Sequence, residues 1–540
     1  MKTRKVGVKL TEEQKDIINT LKSLDKVKVN AYAGTGKTTT IRACVEELRG
    51  KRALVLAFNR SVAEELKAKL PPNCVATTIH GLARYLLGIK REQIKDEKVF
   101  VGKLMDLFGE DYSVVRVYAE GFKAYCNSEF TEINEENLVR LFWRNYDLRK
   151  QVLALFWEEG KSPKEVLYKG AGELAERINY IFKAVDEERL PITHSYYLKR
   201  FQLRLEEFSD YFKKFYLLAV DEAQDLNGVQ EYLLKHAPVP KKLAVGDKHQ
   251  QVYAWRQAIN SLARLRDWKE KYLTVSFRFQ NDEIVDYTNE FLKNWKGETK
   301  LLTAIKTGRK TGKTAIISRT NATLIRELAR INEKVCFTRK VEEIFKTVRE
   351  AERLKEFFES EDEELLKGLP YYVQKLALEF KDMAKTVEEF AKLFEDAGEE
   401  EYARGIMLAL EYNIEKLYEK AKKLNDPNAK LVLSTAHSSK GLEFDKVILT
   451  GDFKPLEIAV ARKVIELVNV NSLEDAQNVV EKIKSFDEKF SEVVDEINLY
   501  YVAWTRALYE VEGEGALIMA NSFKKVFDGN LLLKAIKGLL

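Results

Sequence analysis

Val27-Lys-Val-Asn-Ala-Tyr-Ala33-Gly34-Thr35-Gly36-Lys37-Thr38-Thr39-Thr40 decides how this chain is read. Its first half is an apolar run fit for a buried strand. Its second half is a glycine loop, followed by Ile41, Cys44, Val45 and Leu48 on one helical face. Strand, glycine loop, Gly-Lys-Thr and helix is the context of a phosphate-binding loop. Gly34 and Gly36 let backbone N–H groups turn inward, and the helix N-terminus adds its positive dipole end. In such a loop Lys37 reaches the β- and γ-phosphates, and the Thr38 hydroxyl serves a divalent cation. Ala31 stands where the general pattern has its first glycine.

A second run, Phe215 to Val220, ends in Asp221-Glu222-Ala-Gln-Asp225. An acid at the C-terminal end of a buried strand is where an open α/β sheet presents ligands. Asp221 is expected to hold the shell of Mg²⁺ and Glu222 to polarise the attacking water. Further strands are expected at Ala53–Phe58, Leu243–Val245, Ala315–Ser318, Leu431–Leu433, Lys446–Thr450 and Ala516–Met519. Between them lie long, charged, helical stretches at 92–210 and 341–426.

The composition agrees with a multidomain α/β protein. The chain has 540 residues, 45% of them hydrophobic, and a net charge of +5. That excess is too small to announce nucleic acid, so any basic track must be local. No run approaches the ~18 apolar residues of a membrane span, and the basic N-terminus lacks a signal-peptide core. Four cysteines and five histidines are too few and scattered for a disulfide framework or a transition-metal centre. The expectation is a reduced, cytoplasmic protein. Charged residues at 32% with a Lys/Glu bias suggest a thermophilic source.

The two motifs, taken with others in the same order, resemble superfamily 1A DNA helicases of the UvrD/Rep type. The others are Leu10-Thr-Glu-Glu-Gln14, Ala57-Phe-Asn59, Thr77-Thr78-Ile-His80 and Val245-Gly-Asp-Lys-His-Gln250-Gln-Val-Tyr253-Ala-Trp255. Ser276-Phe277-Arg278, Ser434-Thr435-Ala-His437-Ser-Ser-Lys-Gly-Leu-Glu443-Phe and Tyr501-Val-Ala-Trp-Thr-Arg506-Ala507 follow. Leu190 to Leu203 is similar to the segment that precedes the acidic motif in F-box-type DNA helicases and their prokaryotic and viral relatives, although no F-box precedes it here.

The resemblance implies two RecA-like P-loop NTPase lobes with parallel sheets, each carrying a mainly helical insertion. The first lobe is expected over 1–91 and 211–270, with its insertion at 92–210. The second is expected over 271–340 and 427–540, with a reduced insertion at 341–426. It implies ATP and Mg²⁺ as cofactors, single-stranded DNA and its junctions with duplex as partners, and contact with recombination or replication proteins. It assigns nucleotide contacts to Gln14, Ala33, Gly34, Thr35, Gly36, Lys37, Thr38, Thr39, Phe277 and Glu443, and Mg²⁺ to Thr38 and Asp221. Lys37, Asp221, Glu222, Gln250, Arg278 and Arg506 form the catalytic set. DNA contacts fall to Asn59, Thr78, His80, Tyr253, Trp255, Thr435 and His437. For Gln14 a second reading stands beside adenine recognition, because Thr11-x-x-Gln14 is also a capping box.

Movement along DNA, 3′→5′ with strand separation, is the leading implication. A DNA-stimulated ATPase that strips bound proteins is the alternative. The stretch after Ala507 is expected to be too short for a fused nuclease. Trp504 stands where the family has a smaller residue and suits core packing; residues 453–495 carry no assignable role.

Overall fold

The computed structural model describes residues 10–48, 50–57, 60–95, 97–252 and 259–539. Six strands form one parallel sheet: β1 (Lys26–Ala31), β2 (Ala53–Ala57), β3 (Val75–Thr78), β4 (Leu217–Val220), β5 (Lys241–Gly246) and β6 (Lys269–Leu273). Their spatial order is β3-β2-β4-β5-β1-β6, every pair parallel. Helices cover both faces, and the central strands β1, β2 and β4 are almost wholly buried, whereas the edge strands β3 and β6 are more polar and more exposed. Because β6 pairs residue for residue with β1, this sheet runs to Leu273, three residues past the boundary expected at 270.

A short parallel pair, β7 (Val275–Ser276) with β8 (Thr303–Ala304), follows. The second large sheet contains β9 (Thr314–Ser318), β10 (Val335–Phe337), β11 (Leu431–Thr435), β12 (Phe444–Leu449) and β13 (Ala507–Glu512). Its order is β10-β11-β9-β12-β13, again parallel throughout.

Between β3 and β4 run the helices Glu97–Phe108, Tyr112–Cys126, Glu135–Arg144, Tyr146–Phe156, Pro163–Asp186 and His194–Leu203. Their apolar faces merge with one side of the first sheet into a single core. Between β10 and β11 run five helices, the first being Val341–Ser360. That helix serves two cores: Val341, Ile344, Phe345 and Val348 pack with Leu433 of the second sheet, and Ala351, Leu354 and Phe357 pack with Phe390 and Phe394. The base of this insertion is therefore continuous with the lobe that carries it.

Two sequence expectations are corrected. Ala516–Met519 is part of the helix Glu514–Phe523, not a strand. The reason is its packing: Ala516, Met519 and Phe523 lie on one helical face in the second lobe's core, and at Gly515 a Cβ would stand 2.3 Å from the Thr450 carbonyl, so the helix begins close against the end of β12. Residues 453–495, left without a role, form the helices Leu456–Ile465 and Leu473–Lys484, which supply Leu456, Val460, Val480 and Ile483 to the second lobe's core.

Candidate functional site: a cleft between two sheets

Topology brings the motifs together. β4, β5 and β1 are neighbours, so the acids after β4, Asp247–Gln250 after β5 and the glycine loop after β1 share one sheet edge. From the other sheet, Phe444 at the start of β12 pairs with Ala507 at the start of β13. That register sets Glu443 and Arg506 side by side, facing the first sheet's edge.

The glycine loop is shaped by its surroundings. Gly34 (φ +75°) and Gly36 (φ +83°) occupy the left-handed region. A Cβ on Gly34 would lie 2.3 Å from Arg278 Cβ and 2.7 Å from Ser276 Oγ. Ser276 Oγ donates to the Ala33 carbonyl (2.8 Å), and the Phe277 N–H donates to the Gly34 carbonyl (2.9 Å). The Thr35 hydroxyl folds back onto the Tyr32 carbonyl (2.8 Å). Lys37 opens the helix Lys37–Glu47, with Thr38 and Thr39 in its first turn.

Around this loop the acids gather. Thr38 Oγ1 donates to Asp221 Oδ2 at 3.0 Å, and Lys37 Nζ lies 3.5 Å from Glu222 Oε1. Glu222 sits at φ +53°, a conformation that costs a non-glycine residue roughly 1–2 kcal/mol. Its carboxylate accepts from Gln224 Nε2 (2.7 Å). Burial and the adjacent Glu222 push Asp221 upward, against the pull of Lys37 and Thr38. For Glu222, burial is outweighed by Lys37, Lys440 and the Gln224 hydrogen bond, which hold it below the ordinary carboxylate range.

The arginines differ in their partners. Arg278 is paired: Nε and Nη2 reach Glu443 Oε1 at 3.0 and 2.9 Å, and Nη1 donates to the Thr505 carbonyl at 2.8 Å. Glu443 also binds Arg309 (2.8 Å), and these two cations overcome its burial and hold it low. Arg506 is fully buried and donates only to neutral acceptors: Val502 O (2.8 Å), Leu442 O (3.2 Å), Gln250 Oε1 (3.4 Å) and Thr505 Oγ1 (3.1 Å). Among the described residues no carboxylate lies within ion-pairing distance of it. Burial, then the nearby Arg278, brings Arg506 down to about 9, still charged at neutral pH.

Gln250 joins the lobes, donating to Asp247 Oδ2 (2.9 Å) while accepting from Arg506. Gln14 is buried beside the loop, its amide donating to Thr40 Oγ1 (3.0 Å) and accepting from Thr11 N (3.0 Å). The capping box is thus formed, and it brings Gln14 Nε2 to 3.4 Å from where a Gly36 Cβ would stand. Phe277 is half-buried at the loop's rim.

The donor set fits a phosphate-bound cation. Thr38 and Asp221 offer hard oxygens but only one carboxylate, and among the described residues no cluster of three or more His, Cys, Asp or Glu could hold a metal alone. Mg²⁺ is ordinarily completed by phosphates and water in that way.

The residues expected along a DNA track lie elsewhere. Thr78 caps the helix Ile79–Leu86 by accepting from Gly81 N (3.0 Å). His80 stands 6.0 Å from the rings of His194 and Tyr197, and burial and His194 lower it to about 4, so it is neutral. Thr435 ends β11 and His437 follows it, at the opposite edge of the second sheet from Glu443, which precedes β12. Thr435 Oγ1 donates to Ser438 Oγ (3.0 Å). His437 lines a cleft with Arg319, Lys463 and Tyr146, where burial and then Arg319 and Lys463 lower it to about 3. Asn59, Tyr253 and Trp255 lie outside the described residues.

Three cross-lobe contacts carry no sequence assignment. Lys440 binds both Asp225 oxygens (2.7 and 2.6 Å) across the cleft, and Asp225 is pushed up to about 6 by burial despite that partner. Glu298 takes Lys248 (2.6 Å) and His249 Nε2 (3.0 Å). Glu488, from the segment 453–495, accepts from Arg144 (2.6 Å) and from Arg264. Opposite charges 49 to 344 residues apart give no signal in the sequence that pairs them. Trp504 is a core residue: its indole donates to Ile284 O (3.3 Å) and packs edge-on to Tyr287 and Phe523.

A model of the UvrD/REP helicase N-terminal domain matches residues 10–267, and a model of the UvrD-like helicase C-terminal domain matches residues 180–510, more than half of the chain. The chain is 28% identical over 548 aligned residues to F-box DNA helicase 1 of Gallus gallus, covering 93% of this chain and 48% of that protein. It is 26% identical over 535 residues to F-box DNA helicase protein 1 of Schizosaccharomyces pombe, covering 92% and 56%. A probable DNA helicase II homolog of Mycoplasma pneumoniae is 26% identical over 56% of this chain and 46% of its own length. The chain thus spans about half the length of the curated relatives it matches.

Proposed function

The chain belongs to the UvrD/Rep helicase family, and from that premise we propose that it is an ATP-driven motor which moves along single-stranded DNA, 3′→5′, and separates strands. Within the family we place it with the F-box-type DNA helicases. Residues 190–203 and the near-complete span of this chain on two such proteins support that placement.

The observation that carries the reading is Arg506, a fully buried cation whose hydrogen-bond partners are all neutral and which reaches from the second lobe to Gln250 on the first. A guanidinium so placed lacks an anion that a γ-phosphate supplies. Hydrolysis of a phosphoanhydride spreads charge over equatorial oxygens, so its catalysis is positioning and electrostatics. In this assignment the loop N–H groups and Lys37 cradle the phosphates, and Glu222 orients the attacking water. Thr38 and Asp221 would hold Mg²⁺, which would supply neutralisation of phosphate charge. Arg506 stabilises the transferring group, and Arg278 joins it as Glu443 turns to the nucleotide. Gln250 senses the γ-phosphate and relays it through Arg506.

Because the cationic groups come from both lobes, the site is complete only when they close; nucleotide turnover therefore becomes motion. Sequence-neutral tracking then needs aromatic faces and backbone contacts. Tyr253 and Trp255 are assigned the stacking, and Asn59, Thr78, His80, Thr435 and His437 the backbone. The neutral state of both histidines suits hydrogen bonding rather than charge pairing with phosphate.

Unwinding of duplexes with 3′ or 5′ single-stranded tails, with an RNA-tailed control, tests the proposal. ATP-dependent separation of the 3′-tailed DNA alone is expected. Turnover of ATP with displacement of bound protein but no strand separation would replace it with the alternative.

A further inference from the structure

The helix Ser491–Trp504 carries two adjacent buried tyrosines, each 1% exposed, whose hydroxyls point to different lobes. Tyr500 donates to the Lys454 carbonyl at 2.6 Å, inside the second lobe. Tyr501 crosses the cleft. Its hydroxyl donates to Asp247 Oδ2 (3.1 Å) and accepts from the Ala33 N–H (3.3 Å), at the mouth of the glycine loop. The ring is fixed by stacking on Phe291, 5.4 Å between centroids at 23°.

Asp247 is fully buried, and each of its oxygens is in use. Oδ1 accepts from His249 N (3.0 Å), and Oδ2 accepts from Gln250 Nε2 (2.9 Å) beside the Tyr501 hydroxyl. Gln250 in turn accepts from Arg506 (3.4 Å), five residues past Tyr501 on the same chain segment. One hydroxyl therefore closes a ring that runs from the loop through Asp247 and Gln250 to Arg506 and back along the helix. Burial pushes the Tyr501 phenol well up, keeping it a neutral donor at any working pH.

We propose that Tyr501 is a positioning residue that locks the entry of the phosphate loop to the Asp247–Gln250 turn, so that Gln250 and Arg506 reach the γ-phosphate only in a lobe-closed cleft. This rests on the reading of the cleft as an ATPase site. A hydrogen bond to a charged acceptor is the stronger kind, and its loss inside a dry cleft changes an equilibrium by about tenfold or more. Tyr501 touches the loop only at the Ala33 N–H, while Lys37 and the N–H groups from Gly34 to Thr39 do not pass through it, so binding and turnover should separate.

Tyr501→Phe removes both hydroxyl bonds and keeps the stacked ring; Tyr500→Phe is the matched comparison on the same helix. With the full chain, Tyr501→Phe should bind a fluorescent non-hydrolysable ATP analogue within about threefold of wild type, while DNA-stimulated kcat falls about tenfold. Tyr500→Phe should lower Tm comparably and leave kcat near wild type. In a double-mutant cycle with Asp247→Asn, the kcat losses should be strongly non-additive. Wild-type protein without ATP turnover overturns the ATPase reading and this proposal with it. Normal wild-type turnover with Tyr501→Phe indistinguishable from Tyr500→Phe, or additive losses in the cycle, overturns the proposal alone.

Discussion

Replacing Arg506 by Met separates what a residue does for folding from what it does for turnover. Arg506 is fully buried and bonded only to neutral oxygens, and burial together with Arg278 brings it down to about 9. A desolvated cation without an anion opposes folding, whereas an apolar side chain of similar length does not. Four acceptors, Val502 O, Leu442 O, Gln250 Oε1 and Thr505 Oγ1, lose this donor in exchange. Stability should therefore stay within about 1 kcal/mol of wild type, or rise. Turnover should respond in the opposite direction. An arginine that meets a transferring phosphoryl group contributes about 10³–10⁵ in rate, and at 1.36 kcal/mol per decade the lower bound is ~4 kcal/mol of transition-state stabilisation. The assay pairs thermal unfolding with steady-state ATP hydrolysis at saturating single-stranded DNA. A variant that loses several degrees of Tm yet keeps more than a tenth of wild-type kcat would show Arg506 to be a structural cation and refute the reasoning.

Lys37→Ala is expected to abolish ATP turnover, and Glu222→Gln to retain nucleotide binding without hydrolysis; near-normal turnover in either removes the site assignment. Gly34→Ala introduces a Cβ 2.3 Å from Arg278 Cβ at a backbone φ of +75°, so a loss of roughly 2–4 kcal/mol in urea unfolding is expected, along with nucleotide binding. Glu298→Gln should flatten the acid limb of stability. Burial opposes the shift, but His249 and Lys248 hold Glu298 at about 2, below its ordinary 4.5, so its contribution is complete above pH ~4.5 and lost as pH falls through ~2. That contribution is on the order of 2–3 kcal/mol, and a variant whose unfolding free energy keeps the wild-type slope between pH 4.5 and 2 would exclude it. Trp255→Ala should reduce stimulation by single-stranded DNA and leave basal turnover intact, with DNA affinity in wild type falling as salt rises; unchanged DNA dependence rejects the stacking role.

Much of this cleft was legible because its chemistry is local. Strand, glycine loop and helix lie within Lys26–Glu47, and a phosphate loop needs φ > 0 where Gly34 and Gly36 stand. The acids follow a five-residue apolar run for the same reason: an open sheet delivers ligands at strand ends. Short or edge strands were not legible. β3, β6, β10 and β13 read Val-Ala-Thr-Thr, Lys-Glu-Lys-Tyr-Leu, Val-Cys-Phe and Ala-Leu-Tyr-Glu-Val-Glu, and none is the continuous apolar run of a central strand. The converse error came at Ala516–Met519, where an apolar run of strand length belongs to a buried helix; periodicity over four residues cannot tell the two apart.

The contacts that tie the halves together were beyond any pattern in the chain, and the reason bears on how such a cleft works. Lys440–Asp225 and Glu488–Arg144 join partners separated in sequence by a helical insertion, and Glu298–Lys248 joins a residue beyond the helix Asp282–Lys296 to one that follows β5. All three are substantially buried on at least one side, so opening the cleft exposes charges that are paired when it is shut. Such pairs contribute little net stability, since desolvation offsets attraction, but they penalise misaligned intermediates in which one partner stays buried alone. Arg506 differs from these pairs: it is buried with only neutral hydrogen-bond partners, and Glu443 and Glu222 favour its charge from beyond ion-pairing distance. On the proposed ATPase reading, a buried guanidinium with only neutral hydrogen-bond partners favours closure on an anion over closure without one, the asymmetry that such a proposal requires.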